Sequence, residues 1–112
     1  MTVQDVAERL NLSLLAGGSE QTGQTVSGCY IGDLLSWVMA RALEGNVWIT
    51  VMGNINAIAV ASLTDCACIV LAESAALDED ARLRADQQGI PVYSSSENSY
   101  HIAVALSRLL DA

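Results

Sequence analysis

Apolar residues in this chain alternate between short continuous runs and stripes at helical spacing, with polar punctuation between them. The densest block runs from Gly28 to Leu63, GCYIGDLLSWVMARALEGNVWITVMGNINAIAVASL. It reads as a helix, a buried strand and a second helix joined with almost no loop. Asp33 is placed to cap a helix whose apolar face is Leu34, Leu35, Val38, Met39 and Ala42, and Gly45 is its stop. Val47 to Val51 is an unbroken β-favouring run, as expected of a strand covered on both faces. Asn54 or Asn56 then opens the next helix.

The flanking segments follow the same logic. Thr2-Val3-Gln4-Asp5 resembles a capping box with Asp in place of Glu, and Val3, Val6, Ala7 and Leu10 give one helical face. Leu12 to Ala16 reads as a short strand, Gly17 to Gln24 as a polar, glycine-bearing flexible loop, and Val26 to Ile31 as extended. Ala67 to Leu71 is a second buried strand, and Glu73 to Leu77 a connector. Asp78-Glu79-Asp80 sets three carboxylates at the positive end of a helix that closes in arginine-bearing turns and Gly89. Ile90 to Tyr93 is a strand with its proline near the start, where a missing donor is tolerated. Ser94 to Asn98 is a polar loop, and a last helix over about Ser99 to Leu110 turns Ile102, Ala103, Leu106, Leu109 and Leu110 inward.

From Val47 onward strand and helix alternate, which predicts right-handed crossovers and a mainly parallel sheet with helices on both faces. The fold class expected is α/β, a single small domain over residues 1–112, with the Leu12 and Val26 segments adding strands at an edge.

Charge and composition narrow the function. The net charge is −8, carried by 13 acids against five arginines and no lysine. Such a surface repels phosphate backbones and anionic lipid, so neither nucleic acid nor membrane is an expected partner. No apolar run has the length of a membrane span and no basic leader is evident, so a cytoplasmic location is expected. The apolar fraction of 52% with a mean hydropathy of +0.35 is high for a small chain, which points to an apolar patch held against a second copy, a homodimer. Trp37 falls off the main stripe of its helix and is, with Tyr30, the interface candidate.

Together, several stretches resemble the DRTGG domain family, which is related to the N-terminal domain of HPr kinase/phosphorylase. They are Leu12 to Gly18, Val26 to Met39, Trp48 to Val51, Asn56 to Ala61 and Gly89 to Val92. The resemblance covers nearly the whole chain. It implies an HPr kinase N-terminal-domain-like α/β fold and a regulatory or assembly module without catalytic activity of its own. Such modules are often fused to CBS domains, phosphatases or kinases. Free-standing copies occur beside iron-only hydrogenases and sensor proteins. The name-giving Asp-Arg and Gly-Gly fall near Gly23-Gln24 and Gly28-Cys29, where only one glycine is clear. Any ligand or partner contact made by the Asp-Arg pair in relatives is therefore in doubt here.

Candidate chemistry is sparse. A P-loop needs a lysine on the phosphates, and none exists. Cys66 and Cys68, two apart, would point the same way on a strand, yet two thiols fall short of a metal set, and no metal or cofactor is expected. Cys29, Cys66 and Cys68 read as small buried hydrophobes. His101 lacks an identifiable nucleophile or carboxylate partner. In an open parallel sheet, ligands bind outside the carboxyl ends of strands where the order reverses. That places Asn54, Asn56, Ser94 and Ser95 as candidate ligand-binding residues.

Three readings follow in order. The first is a non-catalytic regulatory or scaffolding module that self-associates and couples to a partner protein, in a hydrogenase or signalling setting. The second is a sensor of an adenine nucleotide or similar metabolite at the strand ends. The third is a small thiol- or histidine-dependent enzyme.

Overall fold

The computed structural model describes residues 1–18 and 23–111. The middle of the loop expected at Gly17 to Gln24, residues 19–22, lies outside the described residues. Helix α1, Val3–Arg9, opens on the capping box: Thr2 accepts from the Asp5 N–H, and the Asp5 carboxylate accepts from the Thr2 N–H. Then follow β1 (Ser13–Ala16), β2 (Gly28–Ile31), α2 (Leu35–Arg41), β3 (Asn46–Thr50), α3 (Ile55–Thr64), β4 (Cys68–Leu71), α4 (Glu79–Gln88), β5 (Val92–Ser94) and α5 (Ser99–Leu110).

The five strands form one sheet in the order β1-β5-β4-β3-β2. β2 through β5 are parallel neighbours in chain order, and β1 closes the far edge antiparallel to β5. The two early segments therefore do add edge strands, but at opposite edges. Helices α2, α3 and α4 cover one face, where Val38, Ile58, Ala61, Ala81 and Ala85 pack on Trp48, Ile69 and Leu71. Helices α1 and α5 cover the other, where Val3, Val6, Ile102 and Leu106 pack on Val47, Ile49, Cys68 and Val70. β3 and β4 are buried along their whole length, which is why they read as unbroken apolar runs.

Three local expectations are corrected. Asp33 does not cap α2: Leu34 holds that position without a side-chain bond, because the Asp33 carboxylate is turned toward the end of β3. The expected inward face of α2 is also too wide. Val38 is buried and Leu35 and Ala42 pack against the core, whereas Leu34 is 59% and Met39 41% exposed. A helix at the end of a sheet has a neighbour on one flank only. Finally, the arginines of α4 lie before its last turn, where Arg82 pairs with Glu79 and Asp86.

Candidate functional site

The carboxyl ends of β2 through β5 form one rim of the sheet, with the start of antiparallel β1 beside β5. At the end of β3, Thr50 donates to Asp33 at 2.7 Å and the Val51 N–H donates to the same oxygen at 3.0 Å. Asn54 caps α3, its Oδ1 accepting from the Ala57 N–H at 2.9 Å. Asn56 is exposed in the first turn of that helix.

The end of β5 is more closely built. Ser95 is buried and makes three bonds. Its N–H donates to the Leu71 carbonyl at 3.0 Å, its carbonyl accepts from the Ser74 N–H at 2.8 Å, and its Oγ accepts from the Glu97 N–H at 3.1 Å. Ser74, bonded to Ser95, and Glu73, whose N–H donates to the Glu97 carbonyl at 2.9 Å, are both left-handed, at φ 54° and 55°, a conformation that costs a non-glycine residue on the order of 1 kcal/mol. Around Ser95 lies a polar cavity of about 370 Å³ walled by Asn11, Ser13, Ser74, Ser94 and Glu97. It adjoins a recess of about 280 Å³ bounded by Arg9, Leu12, His101 and Ile102.

Ser94 and Ser95 thus share one cavity, while Asn54 and Asn56 stand at the end of β3, with β4 between. The order of β2 through β5 never reverses, so the rim has no crevice of the kind that a reversal opens. The cavity arises where antiparallel β1 brings Asn11 and Ser13 up to β5. Sequence reasoning missed both residues, since only the long-range pairing of β1 with β5 puts them there.

The β2 end of the sheet has a different character. Trp37 is 55% exposed, with the Arg41 guanidinium carbon 3.8 Å from its ring centroid; Leu34 and Leu43, flanking α2, and Ile31, on β2, are also exposed. Tyr30 is half-buried and packs toward the core. On the opposite face, between β2 and the end of α5, lies a groove of about 630 Å³ bordered by Val26, Cys29, Leu106 and Leu110.

The thiols do not gather. Cys66 belongs to the α3/α4 side and Cys68 to the α1/α5 side, because regular strand begins only at Cys68. The Cys66 sulfur lies 3.1 Å from the Thr64 hydroxyl. Cys66 and Cys68 are buried as expected, whereas Cys29, on the edge strand β2, is exposed; burial pushes the Cys68 thiol far up, which disfavours its thiolate. His101 Nδ1 lies 3.8 Å from Glu97, both exposed. Among the described residues no three His, Cys, Asp or Glu side chains group as a metal set, and no helix is long and apolar enough to cross a membrane.

The family model of the DRTGG domain matches residues 5–109. No protein of curated function matches. Among solved structures, the chain is similar to the CBS and DRTGG domains of the regulatory region of Clostridium perfringens pyrophosphatase, complexed with its activator diadenosine tetraphosphate. The TM-score is 0.75 at 9% identity, over 94% of this chain and 45% of that one. The likeness is one of fold, and this chain spans under half of that structure.

Proposed function

From the premise that this chain belongs to the DRTGG domain family, we propose that it is a non-catalytic regulatory or scaffolding module that self-associates and couples to a partner protein. The observation that carries this reading is the apolar surface at one end of the sheet, where Ile31, Leu34, Trp37 and Leu43 are all about half exposed or more. A monomeric surface seldom leaves such a group uncovered. We extend the proposal to the partner, read as a protein of a hydrogenase or signalling system in the cytoplasm. Sedimentation velocity over a wide concentration range is the test: a dimer is expected, and a monomer at every usable concentration would remove the self-association.

A second reading, a nucleotide sensor, is favoured by the cavity at the end of β5. The similar pyrophosphatase region, solved with diadenosine tetraphosphate, supports the ligand class. Here Ser94 and Ser95 meet the ligand, with Asn54 and Asn56 on the same rim. Thermal unfolding against adenine nucleotides and their dinucleotide forms tests it. A ligand at a hundredfold excess over its dissociation constant adds about 2.7 kcal/mol of stability. Ser94→Ala and Asn56→Ala are expected to reduce that gain while leaving the unliganded protein folded. No stabilisation by any compound of the panel would overturn the nucleotide reading.

A further inference from the structure

We propose that β2 is an open docking edge whose occupant is β2 of a second copy, paired antiparallel about a two-fold axis to make one continuous ten-stranded sheet. The proposal rests on the self-association reading and specifies its surface. β2 ends the strand order and, among the described residues, has a strand neighbour, β3, on one side only. The Gly32 N–H donates to the Ile49 carbonyl, and the β2–β3 register is one-to-one. In a parallel pair this makes the even-numbered residues those bonded to β3, so Cys29 and Ile31 direct their N–H and C=O groups outward. An outward row of this kind is a template for another strand.

Charge selects the occupant. Residues 26–64, which supply β2, α2, β3 and α3, hold three charged side chains, Asp33, Arg41 and Glu44, so this segment carries −1 of the −8. Two copies approaching by this end meet almost no like charge. At the other sheet edge β1 packs against α4, whose Asp86 accepts from the Gly17 N–H and whose first turn carries Glu79 and Asp80. On that helix Arg82 pairs with Glu79 and Asp86, leaving Asp80, among the described residues, as the unpaired acid of its first turn.

Shape agrees. A two-fold axis perpendicular to the sheet keeps equivalent faces on the same side. Leu34 and Trp37 of both copies then meet beside α2, and the groove between β2 and α5 is closed from the other face. A standard interface covers about 800 Å² per partner, roughly a seventh of this chain's 5802 Å².

The test is sedimentation of the full chain, wild type beside Ile31→Pro and the double variant Ile31→Lys/Leu34→Lys, with circular dichroism of each. Proline at position 31 removes an outward N–H and spares the β3 ladder. The lysines replace side chains already about half exposed and add like charge at the axis. Both changes are expected to weaken the dimer by roughly thirtyfold or more with the helical signal kept. In the wild type, the amides of Cys29 and Ile31 should exchange more slowly as concentration rises. Should the proline unravel the strand, the lysine variant alone decides. A wild-type dimer that survives the lysines, with unprotected amides at 29 and 31, overturns this surface and leaves self-association standing. A wild-type monomer overturns both.

Discussion

Asp33 and Thr50 meet across two crossing segments, the carboxylate accepting the hydroxyl at 2.7 Å while its same oxygen takes the Val51 N–H. The contact fastens the turn after β2 to the end of β3. Asp33→Ala removes a charged acceptor from two donors, and a loss of about 2 kcal/mol is expected, measured by urea unfolding.

Two glycines are required by contact with other backbone segments. A Cβ on Gly53 would run into the Ala76 carbonyl, and one on Gly17, at φ +92°, into the Ile90 carbonyl. Gly53→Ala and Gly17→Ala are each expected to cost about 3 kcal/mol or more. Gly23→Ala, whose Cβ would meet nothing within 4 Å, should shift the melting temperature little.

The two tryptophans report different places. Trp48 is fully buried with Nε1 donating to the Gly32 carbonyl at 2.9 Å, whereas Trp37 is more than half exposed. Acrylamide should quench Trp37 and leave the blue-shifted Trp48, as single Trp→Phe variants would show. Trp48→Phe should also destabilise the fold by about 1–3 kcal/mol, since it strands a carbonyl.

Alkaline pH should loosen the domain. Burial raises Cys68 from an ordinary 9.0. The unfolded chain therefore loses this proton first. Stability is flat below about pH 8.5 and falls as pH rises past the ordinary thiol range, with a slope near 1.4 kcal/mol per pH unit for this thiol held neutral. Melting curves from pH 7 to 10.5 would show this, and Cys68→Ala should flatten the slope even though it lowers stability at pH 7.

Much of the fold is legible because it is local. The capping box at Thr2, the buried run at Val47 and the left-handed stop at Gly89 are written in adjacent residues. Strand order is not local. Nothing near Leu12 or Val26 says that their strands take opposite edges, or that α2, α3 and α4 all fall on one face. The rim was legible in part for the same reason: Ser94 and Ser95 end a strand visible in the sequence, but Asn11 and Ser13 reach their cavity only through β1–β5 pairing. Asp33 looked like a cap because a cap is the nearest use of an aspartate before a helix. A hydroxyl 17 residues away supplies the alternative.

The opposed placement of β1 and β2 has a consequence for the order of events as the chain folds. From β2 to β5 every strand pairs with the next one in sequence, so that part closes short loops and can zip up progressively. β1 has no partner until β5, almost eighty residues later, exists to receive it. Pairing of β1 with β5 therefore closes the longest loop in the sheet, while α1 is tied nearer by, through the Thr2–Thr25 bridge and the Val26 N–H on the Met1 carbonyl.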